Sequence, residues 1–149
     1  MSSTPRYSHA DTKRPDGCYV QFARVILDDD NPEPPDARDD GFWPSRDPNA
    51  AGYVGEKELP NYTAWRAKAR ERMDAWKRGD WGYVGVRARA NCFIVRNGMG
   101  TYVSIESGGV WGIESDAGDD YLNQNYREQI AEVKDLIAAM ANPTYEEVK

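Results

Sequence analysis

The sequence predicts an α+β domain of two layers, in which an antiparallel sheet of three to four strands carries two helices on one face. Three observations predict it. Residues 81–95 (WGYVGVRARANCFIV) alternate in polarity with period two over a long stretch, the signature of a strand. Residues 61–78 and 119–140 each repeat apolar side chains every three or four positions, the spacing of one buried helical stripe. Asn97-Gly98 follows the long strand with the residue pair that a tight hairpin turn favours.

Length and charge bound the rest. The 149 residues suit a single domain. Lysine and arginine against aspartate and glutamate sum to 19 − 25 = −6, which argues against coating nucleic acid by bulk electrostatics. Hydrophobic residues make up 40 %, enough for a modest core. The mean hydropathy is −0.82, and no run approaches the roughly 20 apolar residues of a membrane span. Residues 1–17 are polar, lack an apolar signal core and read as a flexible tail. Two cysteines and one histidine leave no set for a disulfide scaffold, a zinc site or a histidine-based triad, so neither metal nor cofactor is expected.

The body of the domain is expected over residues 18–142. Residues 18–27 (CYVQFARVIL) form the first strand candidate, with Val20, Phe22 and Ile26 on one face and Ala23, Val25 and Leu27 on the other. Apolar residues on both faces predict a strand covered on both sides, or an edge packed under a loop. Residues 28–40 (DDDNPEPPDARDD) then carry seven acids, one arginine and three prolines, and the prolines forbid a helix. The break runs on to residue 59, a long acidic, proline-rich loop. Such a loop is either a solvated linker or a partner-binding segment. Within it, Trp43 is the tryptophan with least structural reason to be there, and so a candidate interface anchor.

The first helix buries Trp65, Ala69, Met73 and Trp76, with Asn61 or Thr63 as cap and Gly79 past its end. Its outer face is basic. The long strand puts Val84, Val86, Ala88, Ala90, Cys92 and Ile94 on one face, and the small residues at 88 and 90 predict a helix lying close above it. Arg87 and Arg89 share the other face, either solvated, paired with acids or forming a recognition surface. Residues 101–106 return with Val103 and Ile105 inward, and residues 110–113 form a short third strand. The second helix buries Leu122, Tyr126, Ile130, Val133, Ile137 and Met140 and stops at Asn142-Pro143, leaving 143–149 as a tail. Cys92 reads as a small core residue, and no feature makes Cys18 reactive.

The densest group of chemical side chains is Gly108 to Tyr121 (GGVWGIESDAGDDY). Paired carboxylates such as Glu114 and Asp116 suit acid–base work or a divalent cation. The segment does not follow the calcium-loop spacing, however, and acids beside a helix start are what capping alone requires. In the structural reading, Glu114 pairs with Arg87 or Arg89 across the sheet, and Ser115 or Asp116 caps the helix.

Two blocks, AWKRGDWGYVGVRARA (75–90) and SGGVWGIESDAGDDYLNQNYREQI (107–130), resemble a group of small bacteriophage and mobile-element proteins. That group has a tryptophan-led "GVRA-A" strand, then "GLWGIESDS" running into a C-terminal helix. Val110 stands here where leucine is commoner, and Ala117 where serine is commoner. The resemblance does not cover the acidic loop and supplies no catalytic residues. It implies a host-cytoplasmic setting.

The expected function is a small acidic, non-enzymatic protein-interaction module, an inhibitor of a host defence or nucleic-acid-handling complex. Its partner would be a host protein or protein–nucleic-acid complex, without direct nucleic-acid or membrane binding. The alternatives are an enzyme built on Glu114 and Asp116, or a ligand- or nucleic-acid-binding module using Arg87 and Arg89. The interaction candidates are Asp28, Asp29, Asp30, Asp36, Asp39, Asp40, Trp43, Arg87, Arg89, Glu114 and Asp116.

Overall fold

The computed structural model describes residues 14–38, 41–139 and 145–148. Its elements run β1 (Gly17–Asp28), α1 (Tyr62–Lys77), β2 (Tyr83–Arg96), β3 (Met99–Glu106), β4 (Val110–Glu114), α2 (Asp119–Ala139) and β5 (Tyr145–Glu147). The fold is α+β, with a five-stranded sheet ordered β3-β2-β1-β5 and β4 also paired to β2. Met140 and Asn142-Pro143, at the expected end of the second helix, lie outside the described residues, as does most of the expected N-terminal tail.

The strands differ from expectation at the C-terminus. Residues 145–147, read as tail, form β5 and pair parallel with β1 in the register Cys18↔Tyr145 to Val20↔Glu147. Val148 N extends the pairing to Val20 O at 2.8 Å. The sheet is therefore mixed rather than purely antiparallel. Three residues are too few for alternation to register, and their pairing depends on a strand more than a hundred positions away.

The hairpin is as its turn residues demand. β2 and β3 pair antiparallel from Arg89↔Glu106 to Arg96↔Met99. Asn97 and Gly98 join them with φ of 53° and 75°. Both turn residues are thus left-handed, which matches the twist of the flanking strands.

Contacts divide the chain into two compact units. One holds nearly all of the strands together with α2; the other holds residues 28–83 with 114–116, and so contains the long loop and α1. In the sheet unit, Val20, Ala88, Ala90 and Cys92 pack against Val133 and Ile137 of α2. Val84, Val86 and Ile113 pack against Leu122 of the same helix. The small side chains at 88 and 90 let α2 approach the sheet, as their spacing indicates. Tyr19, Phe93 and Val95 form a further cluster. Ile105 packs on the main core, whereas Val103, also expected inward, is 37 % exposed.

Both cysteines are free thiols, Cys92 buried and Cys18 half-buried. Burial pushes the Cys92 thiol up to about 11 and raises Cys18 as well. Both are thus held as neutral thiols.

α2 packs on the sheet of its unit, and α1 belongs to the second unit. There Ala69 and Met73 are buried, Trp76 is half-buried and Trp65 is 37 % exposed, so the apolar stripe narrows at both ends. A six-residue 3-10 turn, Glu56–Asn61, leads into α1, and Asn61 makes no side-chain cap. The long loop is folded over part of its length. Ser45 N donates to Gly52 O and Val54 N to Ser45 O, both at 2.8 Å, and Val54 is buried.

Ile137 is fully buried, whereas its neighbour Leu136 is 42 % exposed. Ile137→Ala is expected to cost about 2–5 kcal/mol through lost transfer energy and a residual cavity. Leu136→Ala is expected to cost less than about 1 kcal/mol. Urea unfolding of the two variants checks the difference.

Candidate functional site

The junction after β4 is organised around one arginine of the second unit. Arg72, in α1, donates from Nη1 to Asp116 Oδ2 at 2.6 Å and from Nη2 to Asp116 Oδ1 at 2.7 Å. Its Nη2 also lies 3.2 Å from Glu114 Oε1. The guanidinium sits 3.7 Å from the centre of the Trp81 ring, and Trp81 Nε1 donates to the Arg72 carbonyl at 3.0 Å. Ser115 Oγ accepts from Gly82 N at 3.0 Å, while Ser115 N donates to Gly82 O at 2.8 Å.

The expected partners are thereby corrected. Glu114 pairs with Arg72 instead of Arg87 or Arg89, and the side chains of Ser115 and Asp116 turn to Gly82 and Arg72 instead of capping α2. The cause is tertiary: a planar guanidinium can take Asp116 through two parallel bonds, a stronger contact than a single cap bond.

Charge follows geometry. Hydrogen bonding from Arg72 holds the Asp116 carboxyl below its usual range, and Asp116 and Glu114 in turn raise the Arg72 guanidinium. A carboxylate held ionised by an arginine is a poor proton donor. Among the described residues no group of three or more histidine, cysteine or acidic side chains is placed to hold a metal ion.

Arg87 and Arg89 are also occupied. Arg89 stands opposite Glu106 in the ladder, with Nε donating to Glu106 Oε1 at 2.7 Å and Nη2 at 2.6 Å from the same oxygen. Arg87 Nη1 reaches Glu106 Oε2 at 3.3 Å, and its guanidinium lies 5.2 Å from the Trp111 ring centre. Arg89 is only 9 % exposed. Trp111 lies flat against the strand: a Cβ on Gly85 would fall 2.4 Å from its Cε3, so only glycine fits there. Glu106 was missed as a functional partner. Its signal was available, because the Asn97-Gly98 turn sets a register that brings 106 against 89.

The acidic loop behaves differently. Asp28, Asp30, Glu33 and Asp36 are exposed, and among the described residues none of them makes an ion pair. Asp29 is half-buried; its Oδ1 accepts from Asn31 N at 3.2 Å and its own N donates to Tyr83 O at 3.0 Å. Asp39 and Asp40 lie outside the described residues. Pro35 is buried at the start of a short 3-10 turn, Pro35–Ala37.

Trp43 is half-buried and meets Phe42 edge-to-face at 5.6 Å. With Asp36, Arg38 and Phe42 it lines an open cavity of about 520 Å³. The structure thus brings together Asp36 and Trp43 of the sequence-derived candidates. Glu114 and Asp116 meet at Arg72, and Arg87 and Arg89 meet at Glu106. A second open cavity, about 530 Å³, is lined by Phe42, Tyr53, Trp65 and Lys68.

Comparisons with known protein families, with characterised proteins and with solved structures find no match to this chain.

Arg72→Ala is expected to destabilise the protein by roughly 1–3 kcal/mol at pH 7, because it removes a partly screened bidentate pair and a cation–π contact. Asp116 titrates below its unfolded value, so its stabilising effect is present above the ordinary aspartate range, near about 4. It is lost as pH falls through the lower folded value. The stability gap between wild type and Arg72→Ala should therefore narrow between pH 7 and pH 3, as read by urea unfolding at each pH.

Proposed function

We propose that the protein is a small acidic, non-enzymatic interaction module that uses the loop acids Asp28, Asp30, Glu33 and Asp36 to bind a cationic surface of a host protein or protein–nucleic-acid complex. The observation that carries this reading is the contrast between its acids. Glu114, Asp116 and Glu106 are neutralised by arginines within the chain, whereas Asp28, Asp30, Glu33 and Asp36 are exposed and, among the described residues, make no ion pair. Unpaired like charges on one short segment cost stability by self-repulsion, and a partner of opposite charge removes that cost while steering association. Trp43, beside Asp36 at the same cavity, supplies an aromatic anchor next to the charge.

The resemblance to bacteriophage and mobile-element proteins supports the narrower form of the proposal. In that form the module inhibits a host defence or nucleic-acid-handling machine in the host cytoplasm, its carboxylates standing where nucleic-acid phosphates would bind. No helix among the described residues is long and apolar enough to cross a membrane. An enzyme built on Glu114 and Asp116 has less support, because Arg72 already holds both carboxylates. A phosphate-binding face at Arg87 and Arg89 has less support for the matching reason.

The test is affinity capture from host lysate at low and moderate salt, with identification of the partner and its association rate then measured with purified components. The quadruple variant Asp28→Asn, Asp30→Asn, Glu33→Gln, Asp36→Asn is expected to slow association roughly tenfold at low salt and to flatten its salt dependence. Binding that is unchanged in rate and salt dependence would sink the proposal.

A further inference from the structure

The cavity lined by Phe42, Tyr53, Trp65 and Lys68 lies wholly within the unit that holds α1. Its floor is apolar, made by the buried side chains of Val54 and Ala69. Trp65, Lys68, Ala69 and Arg72 follow helical spacing, so one face of α1 supplies one wall. The 41–54 turn supplies the other. That turn is tied by its own hydrogen bonds, Ser45 N to Gly52 O, Val54 N to Ser45 O and Tyr53 N to Ala50 O. Gly41 and Gly52 let its two arms touch: Gly41 has a φ of 81°, and a Cβ on it would fall 2.8 Å from Gly52 N. The fold therefore shapes the cavity before any ligand arrives, and its volume of about 530 Å³ is in the range of small-molecule sites.

Two features of the lining are unspent. The first is aromatic surface. Trp65 and Tyr53 are 37 % and 45 % exposed while bordering the same recess, and Phe42 adds a third ring. Ring faces left side by side in water are what a planar ligand covers. The second is donor capacity. Among the described residues the Trp65 indole N–H, the Tyr53 hydroxyl and the Lys68 ammonium make no hydrogen bond or ion pair within the chain. The charged side chains that line the cavity, Lys68 and Arg72, are both cations, and among the described residues no acid lines it. The chain nevertheless carries 25 acids. Arg72 is held by Asp116 and Glu114, which leaves Lys68 to meet the charge of a ligand.

We infer that this cavity is a binding site for a small planar aromatic anion, its ring stacked among Phe42, Tyr53 and Trp65 and its negative group at Lys68. The lining selects the class. A cation would face Lys68 and Arg72, a neutral aromatic would leave the ammonium unmatched, and an aliphatic acid would leave the ring faces uncovered. Nucleotides and aromatic carboxylates share the required chemistry. The inference does not rest on the acidic-loop reading, since neither the loop acids nor Trp43 lines this cavity.

Proton–nitrogen NMR of the full chain, following the Trp65 indole N–H, tests it. The probes are adenylate and naphthoate, each beside its uncharged counterpart, adenosine and naphthamide. The expected result is saturable binding of at least one anion that shifts the Trp65 resonance. That anion should bind at least about tenfold tighter than its counterpart at low salt. The tighter anion identifies the source of the ligand. Lys68→Gln is expected to remove the preference for the anion, and Tyr53→Ala to weaken its binding about fivefold. Both side chains are exposed, and the remaining tryptophan resonances report that each variant is folded. A Trp65 resonance that neither anion shifts up to about 5 mM would overturn the inference. So would an uncharged counterpart that binds as tightly as its anion, or an affinity unchanged in both variants.

Discussion

β2 has to satisfy partners in every direction at once. Its fourteen residues pair with β1 on one side and with β3 and β4 on the other, and one of its faces lies under α2. Every residue from Tyr83 to Val95 is buried or half-buried in consequence. Each side-chain choice along it answers to a particular neighbour. Alanine at 88 and 90 admits the helix, and glycine at 85 admits the Trp111 ring. Arginine at 89 is tolerable there only because the hairpin register delivers Glu106 to it. A buried charge without that partner would cost several kcal/mol, on the order of 3–5.

The second unit solves a similar problem with a different residue. There Arg72 joins segments that are distant in sequence. The guanidinium lies on Trp81 and grips Asp116 and Glu114, which arrive from a distant part of the chain. Trp81 closes the contact by donating to the carbonyl of the same arginine. The motif WGIESD (111–116) thus spans two neighbourhoods. Trp111 packs in the sheet unit at Gly85, and Glu114 to Asp116 tie down α1. Its distinctive composition follows from that double duty without a reaction being invoked.

These arrangements give the acids of the chain two different roles. Glu106, Glu114 and Asp116 are held by arginines, with bonds near or below 3.3 Å. Those on the proline-rich loop remain outside, on a segment whose tight Ser45–Val54 turn and buried Pro35 hold it near the body of its unit. A loop that is tethered but charged presents its carboxylates at lower conformational cost than a free tail would. Acidity here is thus both internal glue and external surface, and the total of −6 does not distinguish them.

The local patterns in the chain were enough to determine the α+β class, both helices to within a residue or two, the long strand and its inward face, and the Asn97-Gly98 hairpin. Each of these depends on periodicity or on turn chemistry, which act over a few positions. What only the tertiary structure decided depends on separations of tens of residues. The parallel β5–β1 pairing, the split into two units and the capture of Glu114 and Asp116 by Arg72 all join segments that no local period connects. The same holds for the acids themselves. Composition counts carboxylates, but only the placement of each arginine determines which are neutralised and which still face solvent.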